Sequence, residues 1–149
     1  MGLPEVRSDT RLHSMAVSAD RKKLLQYEHS YFERSAIQAF RTSDELRNRL
    51  IKSLKVMLAF YGLECRTEEN AEAEIVIAKS EEYLSRSRKW IERLNHNYLR
   101  LTRILTSLTI LGLENYALAL FNCLDKIYNK NKEIIGLTTY NYWKNAVNS

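Results

Sequence analysis

Hydrophobic positions along the chain recur every three or four residues far more often than every second residue, so the pattern predicts helices. The sharpest case follows Thr42 and Glu45, which stand at the T-x-x-E spacing of a capping box. Leu46, Leu50, Leu54, Met57, Leu58 and Tyr61 then trace one face up to Gly62, a residue able to close the helix in a left-handed conformation. Upstream, "SADRKKLLQYEHSYFER" (18–34) places Leu24, Leu25, Tyr27, Tyr31 and Phe32 at helical spacing behind Ser18 as N-cap. "AIQAF" (36–40) either continues it or forms a short helix of its own. Downstream, Ile75, Val76, Ala78, Tyr83, Leu84, Trp90, Ile91 and Leu94 predict a third helical stretch over 69–94, with a break near Ser80 and these residues as its core contacts. A fourth helix is expected over 96–111 and a fifth over 114–130, joined as an antiparallel hairpin around Gly112. The tail after 136 adds a short last helix. Residues 1–17 show no period and read as an irregular arm. No alternating run reads as a strand, so the expectation is all-α: a compact bundle of five or six helices forming one domain over 18–149.

Composition narrows this picture. A chain of 149 residues can bury about 68–70% of its unfolded surface, enough for a core without metal or disulfide staples. Four glycines and one proline leave few turns and favour long helices. Cys65 and Cys123 belong to no metal-binding spacing, which points to a reducing, intracellular setting. No stretch approaches a signal sequence or a membrane span, so the expectation is a soluble protein with no membrane partner. The three histidines stand apart from any HExxH, phosphate loop or nucleophile elbow. No cofactor or metal is therefore expected, and an enzyme would need a constellation assembled only in three dimensions.

Net charge is +5, but its distribution says more than the total. Glu68, Glu69, Glu72, Glu74, Glu81 and Glu82 precede a basic stretch of Arg86, Arg88, Lys89, Arg93, Arg100 and Arg103. The basic residues Arg86, Arg88, Lys89 and Arg93 are candidate contacts for nucleic acid or another polyanion. In "HNYLRLTRILTSLTILGLENY" (96–116), about 100° of rotation per residue places His96, Arg100, Arg103 and Ser107 in one arc. Tyr98, Leu101, Ile104, Leu105, Leu108 and Leu111 fill the neighbouring one. Arg100 and Arg103 therefore brace the fold, with Glu64 or Glu114 as partners, join His96 at the helix start in an anion or carboxylate cradle, or stand exposed and idle. Trp90, Tyr140, Tyr142 and Trp143 are candidate interface aromatics, or else lids on the bundle.

Two blocks carry a family likeness. "AFRTSDELRNRLIKSLKVMLAFYGLE" (39–64) and "WIERLNHNYLRLTRILTSLTILGLENYALALFNCL" (90–124), in that order, resemble the conserved region of the opioid growth factor receptor family. The second block matches an HN-x-LR-x-TR-I-L signature and the Leu-Gly-Leu-Glu turn after it. The family's upstream segment resembling H-D-Y-I-Q-W-L-F-P has no counterpart here, and its long C-terminal repeats are absent, so the chain reads as a shortened or diverged member. The resemblance implies a helical interaction module that docks a protein or peptide. Homodimerisation is one way to cover apolar surface left by the missing segment.

Overall fold

The computed structural model describes residues 34–68 and 74–148. The chain divides into two units, Met1–Ala39 and Phe40–Ser149. Of the first, residues 34–39 are described, and they are helical. The arm expected over 1–17, and all but the last residue of the helix expected over 18–34, lie outside the described residues. The second unit holds the rest of the described chain.

Helix α1 (Asp44–Phe60) starts one residue later than the T-x-x-E spacing suggests. Ser43 is the N-cap, and its hydroxyl accepts from the Leu46 N–H at 3.2 Å. Asp44 and Glu45 put carboxylates in the first turn, where the helix dipole favours them. The helix ends as expected, with Gly62 at φ +77 and its N–H donating to the Ala59 carbonyl. A side chain there would bring a Cβ within 2.6 Å of the Tyr83 Cα, so this glycine is required by packing as well as by backbone conformation.

The next segment corrects the all-α expectation. The fold is mostly helical, but β1 (Leu63–Glu68) and β2 (Glu74–Lys79) form an antiparallel pair, with Leu63 opposite Lys79 and Cys65 opposite Ile77. The β-branched run Ile75-Val76-Ile77 suits a pleated surface better than a helix. Leu63 and Ile77 are buried, and Cys65 and Ile75 pack against the core from the same face of the ladder. The helical spacing of Ile75, Val76 and Ala78 is coincidental, because burial of Leu63 and Ile77 against the helices overrides local propensity. The chain leaves the hairpin at Ser80, where the sequence predicts a break, and enters the five-residue α2 (Tyr83–Ser87) with turns beyond it to residue 96.

Helices α3 (Asn97–Ile110) and α4 (Glu114–Lys130) form the predicted hairpin around Gly112. A four-residue α5 (Lys132–Ile135) leads into α6 (Leu137–Asn148), the expected last helix. Helices α3, α4 and α6 pack against one another, β2 lies on α4, and α1 lies on β1. Leu101, Leu105, Leu108, Leu120, Leu124, Ile127 and Trp143 fill the shared core. Among the described residues, no helix is long and apolar enough to cross a membrane.

Candidate functional site

The basic helix α3 is held differently at its two ends. At its C-terminus, Gly112 has φ +93, and the Leu113 N–H returns to the Leu108 carbonyl at 2.8 Å. This 6→1 bond, with Leu108 and Leu113 both buried, is a Schellman closure. Two carbonyls of the last turn are met from outside the helix: Arg41 donates through Nε to Ile110 O at 3.0 Å and through Nη2 to Thr109 O at 3.4 Å. The same Nη2 reaches the Glu114 carboxylate at 2.9 Å. Glu114's own backbone N–H, then Arg41, hold that carboxyl below the ordinary glutamate range. The charge of Arg47 adds to the effect.

At the N-terminus, His96 is the N-cap residue but makes no capping bond. Asn95 caps in its place: its Oδ1 accepts from the Asn97 N–H at 2.8 Å, while its Nδ2 donates to the Lys89 carbonyl and the Glu92 carboxylate. Asn97 is buried and accepts a hydrogen bond from the Tyr61 hydroxyl at 3.2 Å. Burial pushes that hydroxyl's pKa up, opposed in part by the nearby charge of Arg100. The Tyr98 hydroxyl donates to the Glu92 carbonyl at 2.6 Å, tying the turn before α3 to its first residues.

The HN-x-LR-x-TR motif thus divides by face. Asn97 and Leu101 point inward; His96, Arg100 and Arg103 are exposed. Among the described residues, neither arginine side chain makes a hydrogen bond or an ion pair. Both carboxylates suggested as their partners are engaged elsewhere, Glu114 by Arg41 and Glu64 by Arg66. Leu99 and Ile110 are 55% and 40% exposed on the same outward side, and α3 carries no acidic residue.

The basic residues before α3 do not form one helical stripe. Arg86 is half-buried on α2, whereas Arg88, Lys89 and Arg93 are exposed on the turns between α2 and α3. Two of the four candidate interface aromatics are core residues. Trp90 and Trp143 are fully buried, and each indole N–H donates at 3.1 Å to a backbone carbonyl, of Tyr61 and Tyr98 respectively. An indole is buried without penalty when its one polar atom is satisfied in this way. Tyr140 stacks on Tyr128 at 4.3 Å between centroids and donates to Asp125, while Tyr142 is exposed. No group of three His, Cys, Asp or Glu side chains among the described residues could hold a metal ion.

Sequence reasoning misses Arg41 and Asn95, and it counts as core contacts both Leu84, which is 76% exposed, and Leu94. Asn95 has a signal, because asparagine beside a helix start is a turn and capping residue. Arg41 has none, since its acceptors lie about seventy residues away. Leu94 stands at φ 58 and is 98% exposed, because the turn that carries it points the side chain away from the core. It borders a groove of about 560 Å³ that runs from Arg93, Leu94 and Tyr98 to residues 133–139 around the α5–α6 corner. A smaller cavity of about 160 Å³ lies at the start of α4 beside Arg47, whose buried Nε has no hydrogen-bond partner among the described residues.

Comparison with known proteins supplies the family. The opioid growth factor receptor (OGFr) conserved region matches residues 14–149. The mouse opioid growth factor receptor is 37% identical over 80 residues, covering 54% of this chain and 12% of the relative; the human receptor is 35% identical over the same length, covering 54% and 11%. Opioid growth factor receptor-like protein 1 of Xenopus tropicalis is 34% identical over 95 residues, 64% of this chain and 16% of that protein. These alignments therefore span less than a fifth of each relative. No solved structure matches. With nearly its whole length matched, the chain belongs to the opioid growth factor receptor conserved-region family.

Proposed function

We propose that this domain is a non-catalytic module that docks a protein or peptide on the outward face of α3. The observation that carries the proposal is the pairing of two guanidinium groups that no described residue engages, Arg100 and Arg103, with the exposed apolar side chains of Leu99 and Ile110 on one acid-free helix. From Leu99 to Ile110 the face runs roughly 16 Å, about three helical turns. That length fits an amphipathic partner helix that buries its apolar stripe against the two aliphatic side chains and sets carboxylates against the arginines. The mouse and human relatives are named as receptors, and recognition of a partner agrees with that name.

A fluorescent helical peptide with a leucine stripe flanked by glutamates is the probe, read by anisotropy at low and moderate salt. It should bind, and Arg100→Ala/Arg103→Ala should weaken it by about a hundredfold, roughly tenfold for each charge-assisted contact, with folding unchanged. Leu99→Ser should weaken it as well. Equal binding by the double variant overturns the reading. Exposed Arg88, Lys89 and Arg93 favour a second reading, polyanion binding. That reading prevails if single-stranded RNA or heparin binds with a steep salt dependence that Leu99→Ser leaves untouched.

A further inference from the structure

We propose that the groove beside the 93–98 turn is a second recognition site, which takes a peptide segment bearing a bulky apolar side chain next to a carboxylate. The site goes beyond the α3 face, and Leu99, Arg100, Arg103 and Ile110 do not line it.

The first observation is Leu94 itself. A leucine at φ 58 sits in the left-handed region, where glycine or asparagine would be the less strained choice. Its side chain returns nothing to the fold, being 98% exposed. The turn that presents it is fixed by other groups: Asn95 bonds the Lys89 carbonyl, Tyr98 bonds the Glu92 carbonyl, and buried Trp90 anchors the segment's start. A bulky apolar side chain is therefore held out to solvent from a rigid, strained position, and such outliers concentrate where a chain binds something.

The second observation is the surface opposite Leu94. Across the groove, of about 560 Å³, Ile134 and Leu137 are also exposed, while Tyr98 contributes to the lining. Single exposed hydrophobics are ordinary, but three around one concavity form a pocket for an apolar side chain.

Charge decides the rest of the ligand. Arg93 lies on the Leu94 wall and makes no ion pair among the described residues, and the first turn of α6, Leu137 to Thr139, also borders the groove with its positive helix end. Glu133, on α5, also lines the groove. A carboxylate adjacent to the apolar anchor is favoured by Arg93 and by the α6 end and disfavoured beside Glu133, so the lining selects a peptide whose acidic residue lies away from Glu133.

The test uses the whole chain, ¹⁵N-labelled, and a set of acetylated hexapeptide amides whose third residue is Leu, Phe or Ala and whose fourth is Asp or Asn. Peptides with Leu-Asp or Phe-Asp should shift the amide resonances of Leu94, Tyr98 and Leu137. Replacing the apolar residue by Ala, or Asp by Asn, should weaken binding by about tenfold each. Leu94→Asn should leave Tm equal to or above that of wild type, because asparagine tolerates the left-handed conformation, yet weaken binding by about tenfold. Arg100→Ala/Arg103→Ala should bind these peptides as wild type does. The proposal is overturned if no peptide moves those resonances at millimolar concentration. It also fails if Leu94→Asn lowers Tm, which would make Leu94 a structural residue. Concentration-dependent shifts of the same amides without peptide would assign the groove to a second copy of the chain instead.

Discussion

Arginine is used in two opposite ways around helix α3. Arg41, from outside the helix, commits its donors to the carbonyls of Thr109 and Ile110 and to the Glu114 carboxylate, closing the turn into α4. Arg100 and Arg103, on the helix itself, commit theirs to no described residue. A guanidinium desolvates readily only when its planar donors meet fixed acceptors, and the end of a helix supplies such acceptors while the outward side of its middle does not. An arginine in a helical motif is therefore assigned by where the unmet carbonyls are, not by its proximity to leucines.

The largest effect that could break this contrast lies at Gly112. A Cβ there would approach the Arg41 Cγ to 3.0 Å while forcing an alanine to φ +93. Gly112→Ala should therefore lose about 2 kcal/mol in urea unfolding, through backbone strain and displacement of the guanidinium. A neutral result would mean that the turn rearranges and that Arg41 does not close it.

Next in size is Arg41→Ala, expected to lose about 1 kcal/mol, since the pair with Glu114 is more than one-third exposed and only part of the bonding strength survives solvent. A double-mutant cycle with Glu114→Gln should return a coupling of about 0.5 kcal/mol. The coupling has a pH signature. Glu114 titrates below its ordinary value of 4.5 in the folded chain, so its contribution is complete above that pH and is lost as pH falls through the depressed folded value. The difference in stability between wild type and Glu114→Gln should thus shrink on acidification. A difference that grew in acid would place the carboxylate in an unfavourable site.

Helices α1, α3 and α4 are legible in the sequence because their signals are local: apolar residues at one period in all three, a glycine just past the ends of α1 and α3, and before α1 a capping hydroxyl one residue from the T-x-x-E position. The hairpin 63–79 is not, because Ile75-Val76-Ile77 is too short to separate strand from helix by period, and its burial depends on α1 and α4. The arc of His96, Arg100 and Arg103 falls on one side of a helix as its spacing predicts, but its role turns on whether Glu64 and Glu114 have other partners. Arg66 and Arg41 are those partners, and only the folded chain brings Arg41 to Glu114. Trp90 and Trp143 read equally well in one dimension as interface anchors or core residues, since the deciding fact is a backbone carbonyl waiting for each indole N–H.

The smallest expected effect on stability is also the most telling. Arg100→Ala/Arg103→Ala removes two exposed side chains without orphaning an acceptor among the described residues, and alanine is the better helix former, so unfolding free energy should change by no more than about 0.5 kcal/mol. The same variant should fail to hold the acidic amphipathic peptide. A brace predicts the reverse: several kcal/mol lost, because partner carboxylates would be left desolvated and unpaired, with any binding defect secondary to unfolding. Measuring urea unfolding and peptide anisotropy on one preparation separates the two. Stability held with binding lost means that the outward charges of α3 serve a partner, and stability lost means that they serve the fold as Arg41 does.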